Sequence, residues 1–352
     1  MKPWEANIRK VTPYVPGEQP KQTDVIKLNT NENPYGPSPA VKKALKDFDT
    51  ELLRLYPDPA SQVLVDALAK RYGLGTDQVF VGVGSDDVLA MSFLTFFNSG
   101  KPILFPDISY SFYSVWAELY GIPYECPVLD DGFQIRKEDY YKENGGVIFP
   151  NPNAPTSLAL GLAEVEDIVA HNQKSVVIVD EAYIDFGGES ALGLLSKYEN
   201  LLVVRTFSKS RSMAGLRIGY AMGAPALIRA LNDVKYSFNS YTMNQTSLVL
   251  GTAALEDEAY FQETVGKIRA TRERAKKRLS ALGFVCPEPS ANFIFASRPG
   301  TDAKALFDAL REKNIYVRHF DGPRIGDYLR ITIGTDEQME RLFEFLENYL
   351  KH

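Results

Sequence analysis

The residues best equipped for chemistry follow a short aliphatic run. Positions 201–205 read LLVVR, a composition suited to a buried parallel strand. Thr206, Ser208, Lys209, Ser210 and Arg211 come next, a cluster of hydroxyls and cations where that strand should end. In an open α/β sheet, ligands sit at the carboxyl ends of the strands. A lysine amine drawn into a partly desolvated crevice there is a nucleophile. Arg217 lies eight residues on (217 − 209) and offers a bidentate grip on a phosphate. Taken alone, Lys209 reads equally well as a solvated loop lysine and Arg217 as a salt-bridge partner.

Four other stretches bear on the choice, each at the end of an expected strand. GVGSDD (82–87) puts glycines and Ser85 at a strand-to-helix turn, where free helix N–H groups suit a phosphate. Asp86 and Asp87 would repel that anion unless their carboxylates turn away; they also complement a helix dipole. Tyr110 follows PILFPD and can stack on a flat ring, or be an ordinary core tyrosine. FPNPNAPTS (149–157) is a proline-stiffened loop with two asparagines, which also suits a purely structural turn. VVIVDEAY (176–183) ends an aliphatic strand on Asp180, with Tyr183 just beyond. A buried carboxylate is costly unless paired. A protonated ring nitrogen would pair it; a divalent metal is the rival, but no second ligand cluster supports one. Together these groups ask for a phosphate, a flat ring, a basic ring nitrogen and an electrophile for lysine. Pyridoxal 5′-phosphate has all four.

The elements that must position these residues alternate. Strand signals at 79–84, 102–107, 122–128, 145–153, 175–183, 201–207 and 216–223 are interleaved with helical stretches after 85 and at 110–120 and 164–171. That rhythm implies a largely parallel sheet with helices on both faces. Helices are expected at 40–48, 61–72, 224–233 and 244–255, and a long amphipathic one at 258–282 connects onward. Strands at 284–286, 292–297, 315–320 and 328–334, with helices at 302–313 and 336–349, make a small α+β unit. Residues 1–40, rich in Pro, Asn and Gly, read as an extended arm packed with that unit. The expected domains are the arm (1–40), a large cofactor domain (41–256) and the small domain (257–352).

Composition narrows the class. The net charge of −6, without a dense Lys/Arg block, argues against a nucleic-acid surface. No apolar run approaches the roughly 20 residues that cross a membrane, and the N-terminus lacks a signal-peptide core. Two cysteines give no disulfide framework, and three scattered histidines give no metal spacing. A reduced, cytoplasmic, metal-free protein is expected.

The chain resembles the fold-type I pyridoxal-phosphate aminotransferases, and among them it is similar to the histidinol-phosphate aminotransferase group. LNTNENPYGPSP, RLYPDP, GVGSDD, NPNAPT, VDEAY, TFSKSRSMAGLRIGY, YVRHF and YLRITIG carry the match over nearly the full length. The resemblance implies an α/β large domain with a mostly parallel seven-stranded sheet, plus a small α+β domain. It implies that Lys209 bonds the cofactor's aldehyde carbon and moves the substrate proton. Asp180 would hold the pyridine nitrogen protonated; Tyr183 and an asparagine of the NPN loop would hydrogen-bond the ring's phenolic oxygen; Tyr110 would stack on the ring. Ser85, Asp86 through its backbone N–H, Thr206, Ser208 and Arg217 would hold the phosphate. Tyr56 would reach that phosphate from a second subunit, making a homodimer with shared sites. The family's NPNNPTG reads NPNAPTS here, so Asn153 is the expected stand-in for the asparagine missing at Ala154. Tyr14, Arg318 and Arg330 would receive the distal anion, with Glu32 or a neighbour near the imidazole. The implied reaction is transamination of histidinol phosphate with 2-oxoglutarate. An aromatic amino-acid aminotransferase, a threonine-phosphate decarboxylase and a cofactor-binding regulator are the alternatives.

Overall fold

The computed structural model describes residues 2–22 and 24–351. The N-terminal arm has little regular structure, because its prolines and asparagines favour turns over ladders. Its ordered elements are a 3-10 turn (Pro3–Asn7) and a two-residue strand, β1 (Ile26–Lys27). Helix α1 (Pro39–Lys46) follows, with proline at its first position and the Ser38 hydroxyl accepting the Val41 N–H.

Seven strands then form the central sheet: β2 (Val79–Gly82), β3 (Ile103–Leu104), β4 (Tyr124–Glu125), β5 (Gly146–Pro150), β6 (Val177–Asp180), β7 (Leu201–Thr206) and β8 (Gly219–Gly223). Their order is β2-β8-β7-β6-β5-β3-β4. All neighbours pair in parallel except β8, which is antiparallel to both β2 and β7. The mostly parallel seven-stranded sheet therefore forms as expected. The reversal at β8 follows from its connection. Only a 3-10 turn (Ala214–Leu216) lies between β7 and β8, so no helix carries the chain back over the sheet. Alternate residues of β6 and β7 enter opposite cores. Val177, Val179, Leu201 and Val203 pack on one face, and Ile178, Leu202 and Val204 on the other. Helices α2 (Gln62–Tyr72), α3 (Gly84–Phe96), α4 (Phe112–Tyr120), α5 (Leu162–His171), α6 (Pro225–Phe238) and α7 (Gln245–Glu256) surround the sheet.

Helix α8 (Glu258–Ala281) leads into a second core. There β9 (Phe293–Ser297), α9 (Ala303–Glu312), β10 (Ile315–Tyr316), β11 (Arg318–His319), β12 (Tyr328–Thr332) and α10 (Asp336–Tyr349) form the small α+β unit. Its antiparallel sheet runs β11-β12-β9. The arm joins this core: β1 pairs with β10, and Leu28 donates to the Tyr316 carbonyl at 2.7 Å.

Several strands are shorter than the pattern suggests. The stretches 102–107 and 122–128 supply two paired residues each; Pro102, Pro106, Pro123 and Pro127 lack the N–H needed to extend the ladder. Residues 284–286 form a single bridge, Val285 to Ser297, rather than a strand. The stretch 315–320 splits between two sheets as β10 and β11.

Candidate active site

Lys209 lies just beyond the C-terminal end of β7, at the seam between the two cores. Its Nζ donates to the Thr30 carbonyl at 3.1 Å and sits 5.7 Å from the centre of the Tyr183 ring. It borders a cavity of about 180 Å³ together with Ser85, Asp86, Tyr110, Asp180, Tyr183, Thr206, Ser208 and Arg217. Eight residues predicted from separate motifs thus meet Lys209 in one space.

At one end of this cavity lies the N-terminus of α3. Gly84 has φ +84°, and a Cβ there would sit 2.5 Å from Arg217 Nη2. A Cβ on Gly219 would come within 2.2 Å of the Gly84 carbonyl carbon. Two glycines therefore let β8, the start of α3 and Arg217 converge. Arg217 places Nη1 3.4 Å from Ser208 Oγ and Nη2 2.9 Å from Asp86 Oδ2. The Ser208 N–H donates to Thr206 Oγ1 at 3.1 Å. The result is a cup of hydroxyls, helix N–H groups and a guanidinium, suited to a phosphate.

One expectation about this cup fails. The Asp86 carboxylate does not turn away; it accepts from Tyr110 Oη at 2.8 Å and pairs with Arg217. A guanidinium and a phenol make that position favourable. Asp87 is the one that turns back, accepting the Val83 N–H at 2.9 Å. Burial, reinforced by Asp86, pushes the Tyr110 phenol well above its ordinary range, so it stays a donor.

Asp180 borders the same cavity. It is buried, with Oδ2 accepting from Tyr113 Oη at 3.0 Å and Oδ1 from the Ala182 N–H at 3.2 Å. Burial pushes its carboxyl up to about 6, against the opposing pull of those two bonds. Among the described residues no cation comes within ion-pair distance of it. A cationic ring nitrogen would supply the missing charge.

The distal anion site is assembled too. Arg318 and Arg330 are directly opposed between β11 and β12. They border an outer cavity of about 560 Å³ with Tyr14, Lys209, Tyr183 and Tyr110. Tyr14 stacks on Phe112 at 4.1 Å. Arg330 Nη2 donates to the Asn29 carbonyl at 2.8 Å, while among the described residues its buried Nε has no partner. Glu32 borders the inner cavity, but Lys27 and the Thr30 hydroxyl occupy its carboxylate. Burial alone would raise that carboxyl's pKa; the Lys27 and Thr30 bonds outweigh it and hold it below its usual value.

Asn153 lies elsewhere, and Tyr56, expected from a second subunit, lies outside its own chain's cavities. Asn153 borders neither cavity. Its Nδ2 donates to the Ile108 carbonyl and to Thr156 Oγ1, both at 3.0 Å, so both amide protons are spent within its loop and on the Ile108 segment. It does not stand in for the residue missing at Ala154. Tyr56 is 80% exposed and stacks on Tyr241 at 4.6 Å, outside both cavities.

The family model described as "Aminotransferase class I and II" matches residues 23–346. The chain belongs to this family. A histidinol-phosphate aminotransferase of Lactococcus lactis is 54% identical over 99% of the chain and 98% of its own length. One from Pseudomonas syringae is 54% identical over 98% and 99%. Among solved structures, the histidinol-phosphate aminotransferase of Sinorhizobium meliloti in complex with pyridoxal-5′-phosphate superposes with a TM-score of 0.83. It is 24% identical and covers 92% of this chain and 90% of that one, which shows the shared fold.

Aminotransferases of this class work through pyridoxal 5′-phosphate, and the cavity fits it. A phosphate cup, a buried carboxylate without a cation and a lysine amine face one space. Among the described residues no His/Cys/Asp/Glu group could hold a metal ion. Reading the sequence missed three participants. Asn31, inside the quoted arm motif, donates from Nδ2 to Tyr183 Oη at 2.9 Å. Thr30 receives the lysine through its carbonyl, a group no side-chain pattern reveals. Tyr113 bonds Asp180 and lies one turn beyond Tyr110 in a run of aromatics, where nothing in the sequence separates it from core.

Proposed function

We propose that this aminotransferase exchanges the amino group of L-histidinol phosphate with 2-oxoglutarate, giving imidazole-acetol phosphate and L-glutamate in histidine biosynthesis. The opposed Arg318–Arg330 pair beside Tyr14 carries this reading. Two guanidiniums and a phenol suit a phosphate dianion better than a lone carboxylate. Arg330 serves a carboxylate of glutamate; Arg318 and Tyr14 add the donors that the phosphate needs. Relatives above 50% identity that carry the histidinol-phosphate aminotransferase name support it.

Bound pyridoxal 5′-phosphate supplies an aldehyde carbon for amines and a ring that withdraws electrons from a breaking C–H bond. Lys209 Nζ is the base that takes and returns the proton on the substrate carbon bearing the amine. Asp180 keeps the ring nitrogen protonated, since a buried carboxylate gains most from a cation. Tyr183 donates toward the ring oxygen, and the α3 N-terminus, Ser85, Thr206, Ser208 and Arg217 anchor the phosphate.

The working unit is a homodimer. Leu53, Tyr56, Phe238 and Tyr241 are exposed apolar side chains, and a second copy covering them brings Tyr56 to the partner's phosphate. The enzyme works in the cytoplasm, beside its soluble small-molecule substrates. Steady-state turnover of histidinol phosphate, phenylalanine and threonine phosphate tests the substrate assignment. Histidinol phosphate should give by far the highest kcat/KM. Equal turnover of phenylalanine, or carbon dioxide release from threonine phosphate, would overturn it.

A further inference from the structure

Three consecutive arm residues each hold a different functional side chain. The Asn29 carbonyl takes Arg330, the Thr30 carbonyl takes Lys209, and Asn31 Nδ2 reaches Tyr183 Oη. The third contact has a direction that its neighbours dictate. Asn31 donates its backbone N–H to Thr332 Oγ1 at 3.1 Å, and Thr332 Oγ1 lies 2.9 Å from Asn31 Oδ1. Both residues are buried, at 1% and 2% exposure. A hydroxyl has one proton to give. If the Asn31 amide faced the other way, the Thr332 proton would have no acceptor among the described residues, a costly state for a buried group. Thr332 therefore donates to Oδ1, which turns Nδ2 toward Tyr183. Tyr183 Oη accepts that bond, and its own proton has no protein acceptor among the described residues. The proton is left to point into the cavity that Tyr183 borders.

We propose that Asn31 and Thr332 are positioning residues that fix which way the Tyr183 phenol donates. The chain runs one way, from Thr332 to Asn31 to Tyr183 to the ring oxygen of the cofactor. Its origin is on β12, two residues from Arg330, so the strand that offers the substrate's anion an arginine also orients the phenol. The backbone suits the task. Asn31 has φ +58°, a region asparagine tolerates better than most residues, and the Asn292 amide holds its carbonyl at 3.0 Å. The inference rests on the cofactor assignment and is independent of which substrate the enzyme takes.

The test uses purified holoenzyme and reads the pH at which the bound cofactor's visible band changes. A phenol proton on the ring oxygen draws electron density from the chromophore and lowers that pH; losing it raises the pH. Asn31→Asp can only accept, so Tyr183 turns its proton to the new carboxylate. Thr332→Val keeps the volume and β-branching and frees the amide to rotate, without adding charge. Both variants should move the transition upward, Asn31→Asp by about one pH unit, the worth of one hydrogen bond. Tyr183→Phe should shift it similarly, and adding the charge-neutral Thr332→Val to Tyr183→Phe should shift it no further. Variants that bind cofactor with the parent's transition, or shifts that sum in the double variant, would overturn the proposal alone. If Asn31→Asp does not fold, Thr332→Val decides. A parent without a visible band would overturn the cofactor assignment and this proposal with it.

Discussion

Arg318 and Arg330 stand directly opposite each other across the β11–β12 pair, and both guanidinium carbons lie over the Phe320 ring, at 5.5 and 5.4 Å. Like charges in opposed positions repel. Burial, with the Arg318 charge acting the same way, holds Arg330 below the usual arginine range. An anion between them relieves both costs. Arg330→Gln should therefore raise KM for both amino donors by about 30-fold, the size of a lost charge-assisted bond. Arg318→Gln should raise KM for histidinol phosphate and leave glutamate nearly unchanged. Steady-state kinetics with each donor checks this; equal losses for Arg318→Gln would show that the arginines do not divide the work.

Asp180 gives a pH-dependent prediction. Its carboxyl is raised from 3.8 to about 6 in the folded protein, mainly by burial. The folded state therefore favours the protonated form. The stabilisation this gives is complete below about pH 4 and is lost as pH rises through 6. At pH 7.5 the charged carboxylate costs about 3 kcal/mol. With cofactor removed, Asp180→Asn should melt at a higher temperature than the parent at pH 7.5, with the gap narrowing toward pH 5. The same variant should bind cofactor more weakly. Thermal melts of the cofactor-free proteins across that range check the sign; an Asn variant less stable at pH 7.5 would contradict it.

The sequence made the inner cavity legible because its residues end strands, where chain direction and apolar pattern fix position. Asp180 after VVIV and Lys209 after LLVVR meet for that reason. The seven-stranded sheet followed from the same alternation. The β8 reversal was less visible, since it depends on what a loop lacks. Asn153 failed because an amide's reach says nothing about what else it must satisfy; the Ile108 carbonyl and Thr156 take both its protons. Asn31 was hidden for the opposite reason. It sits in a stretch read as turn-forming, and its partners Tyr183 and Thr332 are 152 and 301 residues away. Contacts of that separation leave no local periodicity.

Gly84 predicts a backbone-driven loss. It has φ +84°, and a methyl group there would meet Arg217 Nη2 at 2.5 Å. Gly84→Ala must both strain the turn and push the guanidinium out of the phosphate cup. The backbone strain alone is about 1 kcal/mol, so the melting temperature should fall by about one to two degrees. Cofactor affinity should fall at least as much as in Arg217→Gln. Titrating both variants with pyridoxal 5′-phosphate checks the comparison; a Gly84→Ala protein that binds like the parent would mean that the phosphate does not depend on this approach.

Tyr56 tests the shared site. It is exposed in the single chain, while Lys209 lies at the seam of the two cores. If each phosphate cup takes Tyr56 from the other subunit, the two residues belong to one site but to different chains. Lys209→Ala should be inactive, and Tyr56→Ala should bind cofactor weakly. Unfolding and refolding an equal mixture gives dimers in which half are mixed. Each mixed dimer has one site with both residues intact and one with neither. At low cofactor concentration the mixture should recover about a quarter of the parent activity. If Tyr56 served its own chain's site, every site would lack one residue and mixing would restore nothing. Activity of the co-refolded mixture, set against the two variants refolded apart, decides between these arrangements.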